Sequence, residues 1–335
     1  MKAIRLKAPG GLENLQVVEM AEAPAPAAGE IRVRVHASSL NFHDLGVVTG
    51  KMPTEDGRIP MSDGAGVVEA VGAGVTTFSA GDNVVSLFFP HWQDGAPPID
   101  NFSTTPGDGV DGFARTHVTL PASAFTHAPK GWSHSEAATI TTAGLTAWRA
   151  LVVDGGLKAG DDVLVLGTGG VSIYALQIAR AMGARVFATS SSDVKLERLR
   201  EMGAAGGVNY KTHADWGRRI AEMTGGRGVD HVIEVGGPAT LGQSIDACRI
   251  GGHMALIGVL TGRSGEVPTA KLMARHQTLQ GLIVGSATHQ RDMVRAMETT
   301  GLRPVLDRSF ALDDIAEAFA HEVSGAHFGK ITLEI

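Results

Sequence analysis

Residues 161–183, DDVLVLGTGGVSIYALQIARAMG, constrain the fold of this chain more than any other segment. Asp162 to Leu166 is a short run of aliphatic and β-branched residues, long enough for a buried strand and too short for a helix. Three glycines follow between positions 167 and 170, and from Val171 the apolar positions recur with helical spacing until Gly183. The segment therefore predicts a strand, a glycine turn and a helix in direct succession.

A strand, a glycine turn and a helix in this order make an anion-binding site. The N–H groups at the start of the helix point outward, and glycines without Cβ let a pyrophosphate approach the backbone. A second strand, ARVFAT at 184–189, follows as a dinucleotide site requires, although Ser172 stands where G-x-G-x-x-G has its third glycine. The sequence thus predicts dinucleotide binding at Gly167, Thr168, Gly169, Gly170 and Val171.

The whole chain has the size and composition of a two-domain enzyme. It has 335 residues and a formal net charge of -6 without a basic block, which argues against binding to nucleic acid. Cys248 is the only cysteine, so an internal disulfide is excluded and a reducing compartment is favoured. The sequence shows neither a signal-like start nor a long apolar run. We therefore expect a cytoplasmic protein that binds neither nucleic acid nor membrane.

The first 125 residues do not alternate helix with strand and indicate a small, mainly β domain. Residues 90–111 are rich in Pro, Gly and Asp and predict a long loop, and such loops are commonly functional. The predicted strands are Ile4–Leu6, Leu15–Val18, Ile31–His36, Gly64–Val71 and Val84–Phe89.

From about Lys130 the pattern changes to alternating helices and strands. The first helix is predicted at Ser133–Val152, with Ser133 and Glu136 as a capping box. After the glycine turn, strands are predicted at Arg185–Thr189, Gly207–Tyr210, Val229–Val235, His253–Ile257 and Thr278–Val284, and helices at Asp193–Met202, Ala214–Thr224 and Ala239–Ile250. This rhythm predicts a six-stranded, doubly wound parallel sheet.

The C-terminal segment leaves that rhythm. It predicts helices at His289–Thr299 and Leu312–His321 and a last strand at Lys330–Ile335. We expect it to return to the first domain. The predicted organisation is a β-rich domain of residues 1–125 and 286–335 and a dinucleotide-binding domain of residues 126–285.

Motifs along nearly the whole chain resemble those of the medium-chain dehydrogenase/reductase superfamily. They are HASSLNFHD (36–44), DGAGVVEAVGAGVTTFSAGDNV (63–84), AATITTAGLTAWRAL (137–151), LGTGGVSIYALQIA (166–179), GRGVDHVIEVGG (226–237) and FGKITL (328–333). The resemblance implies an α/β protein with a GroES-like β-rich catalytic domain and a Rossmann doubly wound parallel-sheet domain. It also implies an oxidoreductase that forms homodimers.

Zinc-dependent members of that superfamily hold a metal with a cysteine near position 41 and a His-Glu pair near 62 and 63. Here those places hold Asn41, Ser62 and Asp63, and amide and hydroxyl groups are poor ligands for zinc. The chain therefore resembles the zinc-independent quinone oxidoreductase-like branch, in which Asn at this place is typical. That resemblance implies hydride transfer from NADPH to a quinone or an α,β-unsaturated carbonyl, without zinc.

Residues at the end of the second strand of the dinucleotide fold indicate the coenzyme preference. An NAD enzyme places a carboxylate there, whereas this chain has Ser190 and Ser191, with Lys195 shortly after. Hydroxyl groups and a cation suit the 2′-phosphate of NADP, and in the resembling branch Lys195 and Tyr210 occupy the positions that contact it. Asp193 is the opposing signal. We predict NADP (NADPH) as the coenzyme.

The remaining candidate residues follow from the resemblance and from strand ends. Asn41 is expected near the nicotinamide, holding the substrate carbonyl, and Thr142 near the nicotinamide ribose. His91, on the long loop, is expected to line the substrate site. The candidate catalytic residues are Asn41, Asp44, His91 and Thr142, and further coenzyme contacts are predicted at Gly236, Gly237, Gly258, Val259, Ile283 and Val284.

Two other functions stay open at the level of sequence. One is an alcohol dehydrogenase-type enzyme acting on alcohols or aldehydes. The other is a non-catalytic NADPH-binding sensor, because one fold hosts many functions.

Overall fold

The computed structural model describes residues 1–98 and 101–335 of the chain. It divides into two compact units, Met1–Leu145 with Val284–Ile335, and Thr146–Ile283. The second boundary lies within two residues of the predicted one. The first lies later than residue 125, because the segment after it still pairs and packs with strands of the first unit.

The N-terminal part of the first unit is built mainly from antiparallel strands. Its elements are β1 (Lys2–Leu6), β2 (Leu15–Glu19), β3 (Glu30–Ser39), α1 (Phe42–Val48), β4 (Ala65–Val71), β5 (Asn83–Ser86), β6 (His117–Pro121), β7 (Phe125–His127) and α2 (His134–Ala138). β6 and β7 were not predicted, and the last residue of β5 lies three residues before the predicted end of that strand. The predicted loop 90–111 contains neither helix nor extended strand in its described residues, and positions 99 and 100 lie outside them.

The predicted helix at 133–152 is interrupted. It begins as expected with the Ser133–Glu136 capping box, but regular α-helix ends at Ala138. Wider helical turns follow at Ile140–Gly144 and Arg149–Val153, separated by α3 (Leu145–Trp148). Such π-type turns are frequent at functional sites, and the first of them contains Thr142.

The second unit is a parallel sheet with helical crossovers. Its elements are β8 (Asp162–Leu166), α4 (Gly170–Ala181), β9 (Arg185–Ser190), α5 (Asp193–Glu201), β10 (Gly206–Asn209), α6 (Trp216–Met223), β11 (Val229–Glu234), α7 (Pro238–Ala247), β12 (Cys248–Leu256), α8 (Thr269–Ala274) and β13 (Thr278–Gly281). The strand order is β10-β9-β8-β11-β12-β13, and all the pairs are parallel. The predicted doubly wound sheet is confirmed, with the fully buried β8 at its centre.

The C-terminal segment returns to the first unit, as predicted. It forms α9 (Ala287–Thr300), β14 (Leu306–Ala311), α10 (Ile315–Ser324) and β15 (Lys330–Glu334). β15 pairs antiparallel with β3, with Thr332 opposite Ser39, and parallel with β14. Leu333 and Phe319 are completely buried in the same core as Ile4. The last strand therefore completes the core of the unit in which the chain begins.

None of the helices in the described part of the chain is long and apolar enough to cross a membrane.

Candidate functional site

The start of α1 is fixed by a capping box. Asn41 precedes the helix in extended conformation, and its N–H donates to Oδ2 of Asp44 at 3.1 Å. The other carboxylate oxygen of Asp44 accepts from the N–H of Ser62 at 2.8 Å. Asp44, a predicted catalytic residue, is buried. Through these two hydrogen bonds it joins the start of the helix to the segment at 62–63.

The side-chain amide of Asn41 is held from both ends. Its Nδ2 donates to Oδ2 of Asp63 at 2.9 Å and to Oδ2 of Asp44 at 3.1 Å. Its Oδ1 accepts from Nζ of Lys330 at 2.7 Å. The N–H₂ group that was expected to hold a substrate carbonyl is directed at two carboxylates, and a contact between Asn41 and substrate stays a prediction.

Asp63 is the centre of this polar network and is completely buried. Its Oδ2 accepts from Oγ of Ser39 at 2.5 Å, and its Oδ1 accepts from Oγ1 of Thr142 at 2.6 Å. Burial raises the pKa of Asp63 to about 6, against the opposing effect of the nearby Lys330 ammonium. The structure thus brings Thr142 to the same carboxylate as Asn41, and Asn41 in turn bonds to Asp44.

Lys330 supplies the positive charge of the network. Its side chain is 4% exposed, and Nζ lies 4.0 Å from Oδ2 of Asp63 and donates to the carbonyl of Leu40. Burial lowers the pKa of Lys330, and the surrounding carboxylates oppose that shift. No role was predicted for Lys330 from its sequence context. The available signal was a lysine at the start of an apolar terminal strand. Lysine is rarely buried unless it is paired, so such a lysine indicates a buried partner of opposite charge.

Glu322, on α10, is a further carboxyl group close to this charge. The residue as a whole is partly exposed, but its Oε2 is shielded from solvent and has no hydrogen-bond partner among the described residues. Burial raises the pKa of Glu322 to about 7, with Lys330 opposing the shift and Asp44 adding to it. This residue was also missed by sequence analysis.

An aromatic cluster lies beside the start of α1. The His43 ring is 5.2 Å from that of Phe88 and 4.7 Å from that of Phe102, and its Nε2 is 3.3 Å from Oδ2 of Asp108. Phe88 also packs against Phe89. The rings of this cluster pack edge to face or tilted around the His43 imidazole.

His91 is not part of either group. Its side chain is exposed and makes no hydrogen bond or ring contact with the described residues. The neighbouring Trp92 is buried and packs against His289. The role predicted for His91 stays a prediction.

The residues at the expected zinc positions do not fit a zinc ion. Asn41 and Ser62 offer amide and hydroxyl groups, and the ammonium of Lys330 already lies 2.7 Å from the amide oxygen. Within residues 1–98 and 101–335, no cluster of three or more His, Cys, Asp or Glu side chains could hold a metal ion.

The glycine turn of the second unit fits a dinucleotide. Gly167 has φ 73°, and Gly169 precedes α4 in extended conformation. A Cβ built at either glycine would meet no atom within 4 Å, so the space in front of the helix is open. Ser172, in the place of the third glycine, is buried and donates to the carbonyl of Leu166 at 2.7 Å. The serine therefore fastens α4 to β8, while Gly170 and the partly exposed Val171 begin the helix.

The end of β9 carries the residues predicted to choose the coenzyme. Ser190 is buried and accepts from the N–H of Ser192, whereas Ser191 and Lys195 are partly exposed. The carboxylate of Asp193 accepts from Nδ2 of Asn209 at 2.9 Å. Asp193, the signal for NAD, is thus engaged by a neighbouring side chain. Tyr210 follows β10 and is 43% exposed.

The loop after β11 is braced by a buried glutamate that sequence analysis missed. Glu234 accepts hydrogen bonds from the N–H groups of Gly236 at 2.7 Å and Gly237 at 3.0 Å. It also accepts from the hydroxyls of Thr240 at 2.6 Å and Ser244 at 2.5 Å. A carboxylate at the end of an apolar strand was the signal for such a brace.

The last predicted coenzyme contacts follow β12 and β13. A Cβ at Gly258 would lie 2.2 Å from the carbonyl oxygen of Val235, so only glycine fits there. Val259 and Ile283 are about half exposed, at 46% and 49%, whereas Val284 is buried and has φ 45°.

Comparisons with known proteins agree with this arrangement. The family profile "Alcohol dehydrogenase GroES-like domain" matches residues 27–130, and "Zinc-binding dehydrogenase" matches residues 170–300. A zinc-type alcohol dehydrogenase-like protein of Schizosaccharomyces pombe is 41% identical over 92% of this chain and 91% of its own length.

Solved structures show the same fold. An NAD-dependent alcohol dehydrogenase is 34% identical with a TM-score of 0.90, covering all of both chains. The crotonyl-CoA carboxylase/reductase AntE, in complex with NADP, is 25% identical with a TM-score of 0.88, covering 100% of this chain and 94% of its own.

The chain belongs to the medium-chain dehydrogenase/reductase superfamily. It is an NAD(P)-binding oxidoreductase with a GroES-like unit and a Rossmann unit.

The pH dependence of stability should report the Glu322 carboxyl. Its pKa in the folded protein, about 7, exceeds its ordinary value of 4.5, so the folded state binds this proton more tightly than the unfolded chain. Its contribution to stability is therefore full below about pH 4.5 and is lost as the pH rises through about 7. Glu322→Gln removes the titration, and its free energy of unfolding relative to wild type should rise by about 2 kcal/mol from about pH 5 to about pH 8.

Urea unfolding of both proteins at the two pH values measures this difference. Glu317→Gln changes an exposed glutamate of the same helix and is the matched control. An equal rise in the control, or no rise in Glu322→Gln, would contradict the assignment.

Gly169→Val should fold normally and fail to bind the coenzyme. The new side chain meets no protein atom near its Cβ and takes a common φ of −75°, but it fills the space in front of the α4 N–H groups. Coenzyme binding is measured by fluorescence titration, and folding by circular dichroism. A folded variant that binds NADPH as wild type does would show that the pyrophosphate lies elsewhere.

Proposed function

We propose that this protein is an NADPH-dependent reductase that transfers hydride to quinones or α,β-unsaturated carbonyls without a metal. The observation that carries the proposal is the contact of the Lys330 ammonium with Asn41 and Asp63. These are positions at which zinc-dependent members of the superfamily hold their metal. The proposal therefore rests on the donor groups present at that place.

The coenzyme, when bound, supplies the hydride, and the second unit supplies the coenzyme-binding site. The open glycine turn between β8 and α4 suits the pyrophosphate, because the N–H groups of the helix start face that space. The turn at Gly236 and Gly237 is held rigid by four hydrogen bonds to Glu234. A preorganised binding site positions the coenzyme, so no further conformational entropy is lost at the moment of reaction.

The first unit suits an acceptor that is already electron-poor. Reduction of a simple aldehyde demands strong polarisation of the carbonyl, which a metal ion provides in zinc enzymes. A conjugated carbonyl or a quinone spreads the developing negative charge over several atoms and therefore needs weaker stabilisation. The partly exposed rings of His43 and Phe102 offer aromatic packing partners to such molecules.

Thr142 has the polarity that its proposed contact with the nicotinamide ribose requires. Its hydroxyl hydrogen is directed to Oδ1 of Asp63 at 2.6 Å, so the oxygen is left as an acceptor. A ribose hydroxyl can donate to that oxygen. The partial exposure of Thr142, in contrast to the buried Asp63, makes this contact possible.

Three features support NADPH over NADH. Ser191, Lys195 and Tyr210 are at least partly exposed around the end of β9, where hydroxyls and a cation suit a 2′-phosphate. The Asp193 carboxylate already accepts a hydrogen bond from Asn209, which competes with a contact to the coenzyme ribose. The similar reductase AntE is in complex with NADP.

Alcohol dehydrogenation is the second candidate function. It is favoured by the names of two similar proteins, the Schizosaccharomyces pombe protein and the NAD-dependent alcohol dehydrogenase. The donor set at positions 41, 62 and 63 weighs against it.

A substrate panel distinguishes these functions. The purified protein should oxidise NADPH with quinones and enones at rates at least about tenfold above those with saturated aldehydes, and chelators should leave the rates unchanged. Faster turnover of alcohols or aldehydes, or loss of activity on chelation, would favour the alcohol dehydrogenase. Tight NADPH binding with no turnover of any compound would identify a non-catalytic sensor.

The coenzyme preference is tested at Lys195. Lys195→Ala should weaken NADPH binding by about ten- to a hundredfold and leave NADH nearly unchanged, because one charge-assisted hydrogen bond to the phosphate is lost. Titration of both coenzymes measures this, and Lys158→Ala, at an exposed lysine of the same unit, is the control. Equal losses for the two coenzymes, or a wild-type preference for NADH, would overturn the assignment.

A further inference from the structure

We propose that His43 gives the acceptor its proton after hydride transfer, and that Asp108 positions the His43 ring for this step. The inference rests on the proposed function and deepens it, because it names the proton donor of that reaction. Turnover by the wild type tests the proposed function, whereas the His43 variants and their response to added imidazole test this inference. The two can therefore fail separately.

The His43 ring has one shielded nitrogen and one that is left to other molecules. Its Nε2 is shielded from solvent, lies 3.3 Å from Oδ2 of Asp108 and has no hydrogen-bond partner among the described residues. Phe88 and Phe102 pack against the ring. The side chain is nevertheless 14% exposed, and its Nδ1 makes no hydrogen bond with the part of the chain that the structure describes. The carboxylate thus faces Nε2, and Nδ1 is available to a bound acceptor.

Asp108 is held in place by the backbone of its own loop. Oγ1 of Thr54 donates to the carbonyl of Asp108 at 2.7 Å, and the N–H of Asp108 donates to the carbonyl of the completely buried Thr105 at 3.2 Å. The preceding Gly107 has φ 84°, and a Cβ there would lie 2.7 Å from the backbone nitrogen of Met61. The loop therefore places this carboxylate beside the imidazole.

The polar hydrogens of the network around Asp63 are directed elsewhere. The Asn41 amide donates to two carboxylates, and the Thr142 hydroxyl donates to Asp63. The Lys330 ammonium is 4% exposed and donates into the same network. Both tyrosines of the chain belong to the second unit. Histidine exchanges a proton near neutral pH more readily than these groups do, so His43 suits the role of proton donor.

The proposed step balances in atoms and electrons. Hydride brings one hydrogen and two electrons to the acceptor, which then carries one additional negative charge. The Nδ1–H bond of the His43 imidazolium breaks, its proton forms a C–H or O–H bond in the acceptor, and the neutral imidazole takes a proton from water. His43 lies in the first turn of α1, two residues after Asn41, which is expected near the nicotinamide. The proton and the hydride can thus reach the same molecule.

Removal of the imidazole tests this assignment. His43→Ala should lower kcat at least about a hundredfold with the acceptor that wild type reduces fastest, because a positioned proton donor is lost. The Kd of NADPH should stay within about twofold of wild type, since the coenzyme-binding site belongs to the second unit. NADPH oxidation is followed by absorbance, and folding by circular dichroism. If His43→Ala folds poorly, His43→Gln keeps a polar side chain and gives the same kcat comparison.

Added imidazole provides a readout that a merely structural role would not change. It should restore the kcat of His43→Ala at least about tenfold, because it can enter the vacated space and donate a proton. Thiazole has similar size but stays unprotonated near neutral pH, and it should not restore kcat. His127→Ala, at an exposed histidine of the same unit, is the matched control and should keep wild-type kcat with and without imidazole.

The possible outcomes separate this inference from the proposed function. Reduction of quinones or enones by wild type with no loss in His43→Ala would overturn the inference and leave the proposed function standing. Equal rescue by imidazole and thiazole would show that the ring fills space and donates no proton. A wild type without turnover would overturn the proposed function and this inference with it.

The positioning role of Asp108 has its own test. Asp108→Asn keeps the shape of the side chain and removes its charge, so kcat should fall about tenfold while KM for the acceptor stays within about twofold. Imidazole should also rescue the double variant His43→Ala with Asp108→Asn less than it rescues His43→Ala alone. Asp94→Asn, at an exposed carboxylate of the same loop, is the matched control. Equal rescue of the single and double variants would overturn the role of Asp108.

Discussion

The first unit depends on the interaction of one buried ammonium with buried carboxylates. Lys330 and Asp63 are almost completely shielded, and an isolated charge at either place would be strongly destabilising. Each is acceptable only because the other is present and because Asn41 bonds to both. The network therefore joins the first helix, the segment at 62–63 and the C-terminal strand.

The candidate sites of the two units are built in different physical ways. In the second unit the candidate coenzyme site consists mainly of backbone, namely the N–H groups at the glycine turn and the loop braced by Glu234. In the first unit, side chains from distant segments make the network, and the turn containing Thr142 reaches the same carboxylate as Ser39. The first kind of site is local in sequence, and the second is not.

The local patterns predicted much of the architecture. The order of the strands in the second unit, the capping box at Ser133 and the return of the C-terminal strand are confirmed, whereas helix α8 was not predicted. The strands β6, β7 and β14 were missed, because their pairing with β3, β5 and β15 joins distant parts of the chain. The helix at 133–152 was predicted as continuous, because the interactions of the Thr141 and Thr142 hydroxyls with Ser86 and Asp63 are tertiary.

By itself the sequence determined the glycine turn, the parallel sheet and the absence of good zinc ligands at Asn41 and Ser62, since each depends on residue type and local spacing. Only the tertiary structure decided that the Lys330 ammonium donates to Asn41, because that contact joins residues 289 positions apart through strand register. Likewise, Asp193 is an NAD signal in sequence, and its hydrogen bond to Asn209 exists only in the fold. The chemical behaviour of a charged side chain depends on its burial and on its partners, and both are set by the tertiary structure.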